Sequence, residues 1–292
     1  MHSSETVLGG GSWYNYNSAS LSKLLIAATQ LGISSIDTAP SYGNSEIILG
    51  KCLGETSGFK ISTKVGTAGA FRLTGKMVLE STEKSLKALN LEKINYIYLH
   101  SVDFKFVEES AIDEMINLKK NGITNKIGVS CDGNAFSDFH ELAIFDGFMM
   151  TLNLVDQANY ENIKVASDAG LDVVLKRSLA NGVFSNNLKA RLLRYRRIYR
   201  HEIFGGEVQS YDFRSRCMSA LNGKQLNFSD YVNYVCSIAY KFNSNILIGT
   251  KNIKHLRMFQ ERRKKFKQDQ VDFEKLQSLY LLGNSYNWVP KV

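Results

Sequence analysis

Along the chain, short apolar runs rich in β-branched residues alternate with longer amphipathic segments. Thr6–Leu8, Ser34–Asp37, Lys60–Lys64, Tyr96–His100, Lys126–Ser130, Gly147–Asn153, Asp172–Lys176 and Asn245–Ile248 read as strands. Between them, Ser20–Leu31, Thr74–Leu89, Val107–Asn121, Phe136–Phe145 and Ser229–Phe242 carry the apolar spacing of helices. Gly32, Gly122, Gly147 and Gly170 punctuate the joins. Strands alternating with helices of this length predict βαβ units and a parallel sheet. Eight such units in 292 residues fit a closed (β/α)8 barrel, a single domain over residues 1–292 with its active site at the carboxyl ends of the strands. A doubly wound sheet is the alternative. Against it, no GxGxxG follows a strand, and Gly9-Gly10-Gly11 is too short a match.

The alternation breaks once, over residues 188–228, a polar, basic stretch dotted with aromatics. It follows the seventh strand, so it is expected on the face where barrel active sites sit, as a lid or as a disordered loop. The only prolines are Pro40 and Pro290, and there is no linker, internal repeat or low-complexity tract.

Composition changes this picture little. Hydrophobic residues make up 44% of the chain and charged residues 22%, ordinary values for a folded domain with a sizeable core. No run approaches the roughly 18 apolar residues of a membrane helix, and the amino-terminal residues lack the pattern of a signal peptide. Cys52, Cys131, Cys217 and Cys236 lie far apart with no metal-ligand spacing. A reduced, cytoplasmic protein with no membrane partner is the expectation. The net charge of +8 comes largely from Lys189–Arg200 and Arg262–Lys267. Tyrosines interleave the arginines of the first run, which nominally suits nucleic acid; a solvated helix face or a mobile loop is the simpler account, and no nucleic-acid partner is expected.

Chemistry concentrates at the strand ends. Asp37, Lys64, His100 and Ser130 close the second to fifth predicted strands, and in a parallel barrel those ends share one rim. Each has a bland explanation alone: a turn, a snorkelling lysine, a core histidine. Their recurrence at successive strand ends argues for a site. Tyr42 follows five residues after Asp37, in a loop able to return over the rim. A free phenol is a poor acid at neutral pH. A neighbouring Lys64 ammonium is expected to lower its pKa, with Asp37 holding the ammonium in place and His100 orienting a substrate oxygen. The set can deliver a proton to an oxygen on which negative charge develops. It has no nucleophile–base pair, metal cluster or second carboxylate.

Asp37-Thr38-Ala39-Pro40-Ser41-Tyr42-Gly43-Asn44-Ser45-Glu46, running on to Gly50, resembles the signature of the aldo/keto reductases. Lys64, His100 and Ser130 fall in that family's order, and the likeness spans roughly residues 5 to 260. Low proline with abundant Lys, Asn and Ile suits a low-GC bacterial member. The resemblance implies that Asp37, Tyr42, Lys64 and His100 are catalytic and that a reduced nicotinamide, usually NADPH, lies extended at the barrel mouth. By the same resemblance Ser130, Cys131 and Met149 stand where residues commonly meet the nicotinamide carboxamide, with Cys131 in place of the usual Asn and Met149 in place of Gln. Lys176 stands where many members place a stacking tyrosine. Lys176, Arg177, Leu179 and Asn181 belong to a segment, Lys176–Gly182, expected to cradle the pyrophosphate. Gly249, Thr250, Lys251 and His255 resemble the carboxyl-terminal cofactor segment, whose usual arginine and asparagine correspond here to His255 and Phe259. Lys251 and Lys254 are candidates for a 2′-phosphate, giving NADP(H) as the expected cofactor and NAD(H) as the alternative. Trp13, Tyr14 and Phe104, with Phe106 and the tail around Tyr286 and Trp288, are candidate walls of a substrate pocket.

The expected activity is reduction of a sugar-like or small aldehyde or ketone to an alcohol, or the reverse, by a monomer or weak dimer. The altered carboxamide partners keep open a catalytically altered barrel that senses cofactor or binds a partner.

Overall fold

A computed structural model describes residues 4–54, 58–66, 72–153, 156–179 and 228–266. Eight parallel strands close into a barrel in chain order: β1 (Thr6–Gly9), β2 (Ser35–Asp37), β3 (Lys60–Val65), β4 (Ile94–His100), β5 (Thr124–Ser130), β6 (Gly147–Thr151), β7 (Asp172–Lys176) and β8 (Asn245–Gly249). Pairing of Val7 with Leu247 and Leu8 with Ile248 joins the last strand to the first. The predicted barrel is therefore what the chain forms, and each strand lies within two residues of its predicted bounds.

Around the barrel run α1 (Ser18–Gln30), α2 (Ser45–Leu53), α3 (Gly75–Leu89), α4 (Glu109–Lys120), α5 (Ala135–His140), α6 (Tyr160–Asp168), α7 (Phe228–Lys241) and α8 (Ile253–Lys264). Local chemistry sets their ends. The Asn17 side chain accepts from Ser20 N at the start of α1, and Thr74 accepts from Met77 N at the start of α3. Each satisfies a backbone donor that the first turn leaves without an intrahelical partner. Asn90, with φ of 55°, ends α3 in the left-handed conformation. Leu21, Leu24, Leu25 and Ala28 recur along one face of α1 and are buried against the barrel. Segment 188–228 falls outside the described residues apart from its last, where α7 begins, as do Asn181, Lys189–Arg200 and the tail beyond residue 266.

Apolar side chains sort into two places, a layer between strands and helices and a smaller interior cluster of Val7, Tyr96, Tyr98, Met149, Val174 and Leu247. The Tyr96 and Tyr98 rings stack with centroids 4.2 Å apart inside the barrel. Glycines make room for them. A Cβ on Gly128 would lie 2.8 Å from both rings, and one on Gly147 would lie 2.7 Å from the Tyr96 hydroxyl. This plug fills the barrel interior with apolar side chains and leaves its polar ones to the strand ends.

Candidate active site

Alternation along parallel strands sends Asp37, Lys64, His100, Ser130 and Lys176 to the same end of the barrel interior. Asp37 and Lys64 meet there, almost wholly buried. The Lys64 ammonium donates to both carboxylate oxygens of Asp37 at 2.6 Å and to the Thr38 carbonyl at 2.8 Å. Burial works against the Lys64 cation, but Asp37 and Tyr42 overcome it, and its pKa lies above the ordinary lysine value. Burial likewise pushes the Asp37 carboxyl up, against the pull of Lys64.

The short helical turn Pro40–Tyr42 carries the phenol back over this pair. Lys64 Nζ sits 4.8 Å from the centre of the Tyr42 ring. The expected lowering of the phenol pKa is reversed. Burial raises it, Lys64 opposes by charge and hydrogen bonding, Asp37 adds to the rise, and the net direction is upward. Desolvation of the phenolate outweighs one ammonium that already shares its charge with Asp37. Tyr42 is thus a phenol that holds its proton, suited to give one to a developing alkoxide.

His100 packs edge-on against Tyr42, with ring centroids 5.8 Å apart. Its Nδ1 lies 3.2 Å from the Ser41 hydroxyl. Burial and the charges of Lys64, Lys176 and Arg177 depress its pKa to about 3, so the ring is neutral at physiological pH. In the tautomer where Ser41 donates to Nδ1, Nε2 carries the ring proton and can donate to a substrate oxygen.

A second buried ion pair lies on the same rim. Lys176 Nζ is 3.0 Å from Asp132, 3.2 Å from the Ser130 hydroxyl and 3.4 Å from the Cys131 carbonyl. Asp132 also accepts from Thr151 N at 2.7 Å, Thr151 Oγ1 at 3.0 Å and Asn159 Nδ2 at 3.0 Å. Arg177 follows in the left-handed region, with φ of 55°, and the Asn153 side chain holds its carbonyl. Asp132, Ser41 and Thr38 were not among the expected site residues. Asp132 stands two residues past Ser130, and its partner comes from a distant strand, so only the polar residue just beyond a strand end signals it. Glu46, within the signature stretch, is buried behind β3 and accepts from Thr63 Oγ1 at 2.5 Å.

Other expected contacts are placed differently. The Cys131 side chain belongs to the apolar layer outside the strands, and burial pushes its thiol up to about 12; alternation turns Ser130 inward and its successor outward. Met149 is buried with Tyr96 and Tyr98. Leu179 packs against the outer layer. Trp13, expected as a pocket wall, is completely buried with Leu21 and Leu24, and its indole donates to the Thr250 carbonyl at 3.3 Å. Phe104 packs edge-on against Phe139 at 5.1 Å. Tyr14 stays exposed, with Lys251 Nζ 5.2 Å from its ring centre. Lys251 also donates to Asn15 at 3.0 Å, while Lys254 and His255 stay exposed at the start of α8. Phe259 is a core residue. Among the described residues no group of three His, Cys, Asp or Glu could hold a metal, and no helix is long and apolar enough to cross a membrane.

A parallel eight-stranded barrel thus brings a clamped lysine, a phenol and an imidazole together at one mouth. The aldo/keto reductase family model matches residues 6–196, and the chain belongs to that family. It is similar to D-arabinose 1-dehydrogenase of Saccharomyces cerevisiae, 35% identical over 109 residues, covering 34% of this chain and 32% of that protein. L-galactose dehydrogenase of Arabidopsis thaliana is 31% identical over 113 residues, 35% of each chain. The aligned stretches thus span about a third of these relatives' own length. The holo form of aldo-keto reductase AKR11C1 from Bacillus halodurans shares the fold, with a TM-score of 0.76 over 97% of this chain and 94% of its own at 16% identity.

Proposed function

We propose that this chain is an NAD(P)H-dependent oxidoreductase that reduces an aldehyde or ketone to an alcohol, or runs the reverse reaction, with Tyr42 as the general acid. One observation carries the reading: the Tyr42 phenol is seated beside a lysine that is itself clamped by Asp37. The Ser130 hydroxyl would hold the nicotinamide end of the cofactor, and the backbone around Lys176–Leu179 its pyrophosphate. The fit rests on Ser130. It is buried at the mouth, and Lys176 has no acceptor, so the serine oxygen accepts from the ammonium and keeps its own proton for a ligand. When bound, the nicotinamide supplies the hydride. His100 orients the substrate oxygen, Tyr42 gives it a proton, and Lys64 stabilises the phenolate left behind.

The two sugar dehydrogenases among the relatives support a sugar-like substrate. NADP(H) is favoured over NAD(H) because the first turn of α8 has no acidic residue to pair a ribose hydroxyl, while Lys254 is exposed there. The burial of Cys131 and Met149, which leaves Ser130 as the side-chain partner for the carboxamide, favours a second reading: a barrel that binds cofactor without turnover. Following loss of reduced-nicotinamide absorbance with a panel of aldoses and small aldehydes separates the two. Turnover supports the enzyme, and NADPH binding with no turnover on any member supports the sensor.

A further inference from the structure

We infer that Lys176 and Asp132 form a positioning pair that aims the Ser130 hydroxyl at the nicotinamide carboxamide and presents a fixed cation beside the ring. The inference rests on the cofactor reading above and adds to it residues that touch neither substrate nor the transferred proton.

The pair is built for placement. Lys176 comes from the end of β7, Asp132 from the residues just past β5, and Asn159 and Thr151 tie the carboxylate to α6 and β6. Lys176 has three ammonium protons and three acceptors within 3.4 Å: Asp132, Ser130 and the Cys131 carbonyl. All three ammonium protons therefore have an acceptor in place, as suits a positioning role. What the ammonium does is fix the polarity of Ser130. Because Lys can only donate, the serine oxygen must accept, and its rotor is left with one outward proton. A carbonyl oxygen is the matching ligand, and an amide nitrogen presented in its place finds no acceptor.

The orientation of the ion pair also bears on the ring. The Lys176 ammonium reaches the Ser130 hydroxyl at the strand end and its charge bears on His100, whereas the Asp132 carboxylate is occupied by Thr151 and Asn159. The ammonium is therefore the end of the pair that faces the mouth. A cation there disfavours the positively charged oxidised ring relative to the neutral reduced one.

The test is binding of NADPH and NADP+ by fluorescence quenching, with the wild type, Lys176→Met, Ser130→Ala and the double variant. Lys176→Met is expected to weaken NADPH about tenfold, as for a lost positioned hydrogen bond. It should weaken NADP+ less, so the preference for the reduced form shrinks, an effect that a general loss of packing would not produce. In the Ser130→Ala background, Lys176→Met should cause little further loss of NADPH affinity, because the hydroxyl it aims is gone. Equal loss in both backgrounds, or an unchanged ratio of the two affinities, overturns the inference while leaving the cofactor reading intact. A wild type that binds neither form overturns that reading and this inference with it. If Lys176→Met does not fold, Asp132→Asn with Lys176→Met removes both charges together and is measured in its place.

Discussion

Removing the Lys64 ammonium tests the buried pair independently of any reaction. Lys64→Met leaves Asp37 buried with no counter-charge and the Thr38 carbonyl without its donor. Breaking a buried pair from one side costs about 3–5 kcal/mol. At about 2.1 cal/mol/K per residue, the entropy of unfolding for 292 residues is roughly 0.6 kcal/mol/K. The cost thus becomes a fall in Tm of roughly 5–8 °C. Its pH dependence gives the sharper check. Asp37 is raised even with Lys64 present, and losing two of its lowering influences raises it further. A carboxyl raised in the folded state contributes fully below its unfolded value of 3.8 and loses that contribution as pH climbs. The gap between variant and wild type is therefore small near about pH 4 and larger at about pH 8. Thermal melts followed by circular dichroism at both pH values measure it. A Tm unchanged at the higher pH, or a gap that narrows as pH rises, would refute the argument.

Three other outcomes follow from single residues. Gly128→Ala places a methyl 2.5 Å from the Gly147 carbonyl and 2.8 Å from two tyrosine rings, and should lower stability by about 1–3 kcal/mol or more in a denaturant titration; a change under about 0.5 kcal/mol would contradict the packing of the plug. Burial raises Asp156 from 3.8 to about 6, so the folded state gains from protonation and that gain fades as pH rises through about 6. Asp156→Asn should accordingly stabilise the protein by up to about 3 kcal/mol at neutral pH and by almost nothing near pH 4; equal effects at both would count against it. His100, depressed to about 3, should leave the turnover profile without an imidazole inflection between about pH 5 and 8. An inflection near the free histidine value that disappears in His100→Gln would show a charged ring instead.

Much of the barrel could be read from the sequence because strands buried on both faces leave continuous apolar runs. Where the reading overshot, turn chemistry intervened. The run Gly147–Asn153 ends as a strand at Thr151, since Asn153 turns to pair with Asp156. The Phe136–Phe145 pattern stops being helical at His140, and Ala143, with φ of 52°, starts the turn that returns Phe145 to the core. Helix α2 lay inside the signature stretch, and the short α6 and strongly basic α8 have weak apolar faces. The cluster at the mouth was legible because strand alternation brings Asp37, Lys64 and His100 to one rim. Asp132 was not, since its meaning depends on Lys176 from another strand. The direction of the Tyr42 shift was also hidden, because neighbouring charges can be guessed from sequence whereas the depth of burial that outweighs them cannot.

The account rests most directly on Tyr42 as the proton donor. Single-turnover carbonyl reduction by Tyr42→Phe, measured alongside NADPH affinity, tests it. A fall in rate of about a hundredfold to ten-thousandfold with affinity within about twofold of wild type is the predicted result. A variant that reduces its substrate as fast as the wild type would contradict it.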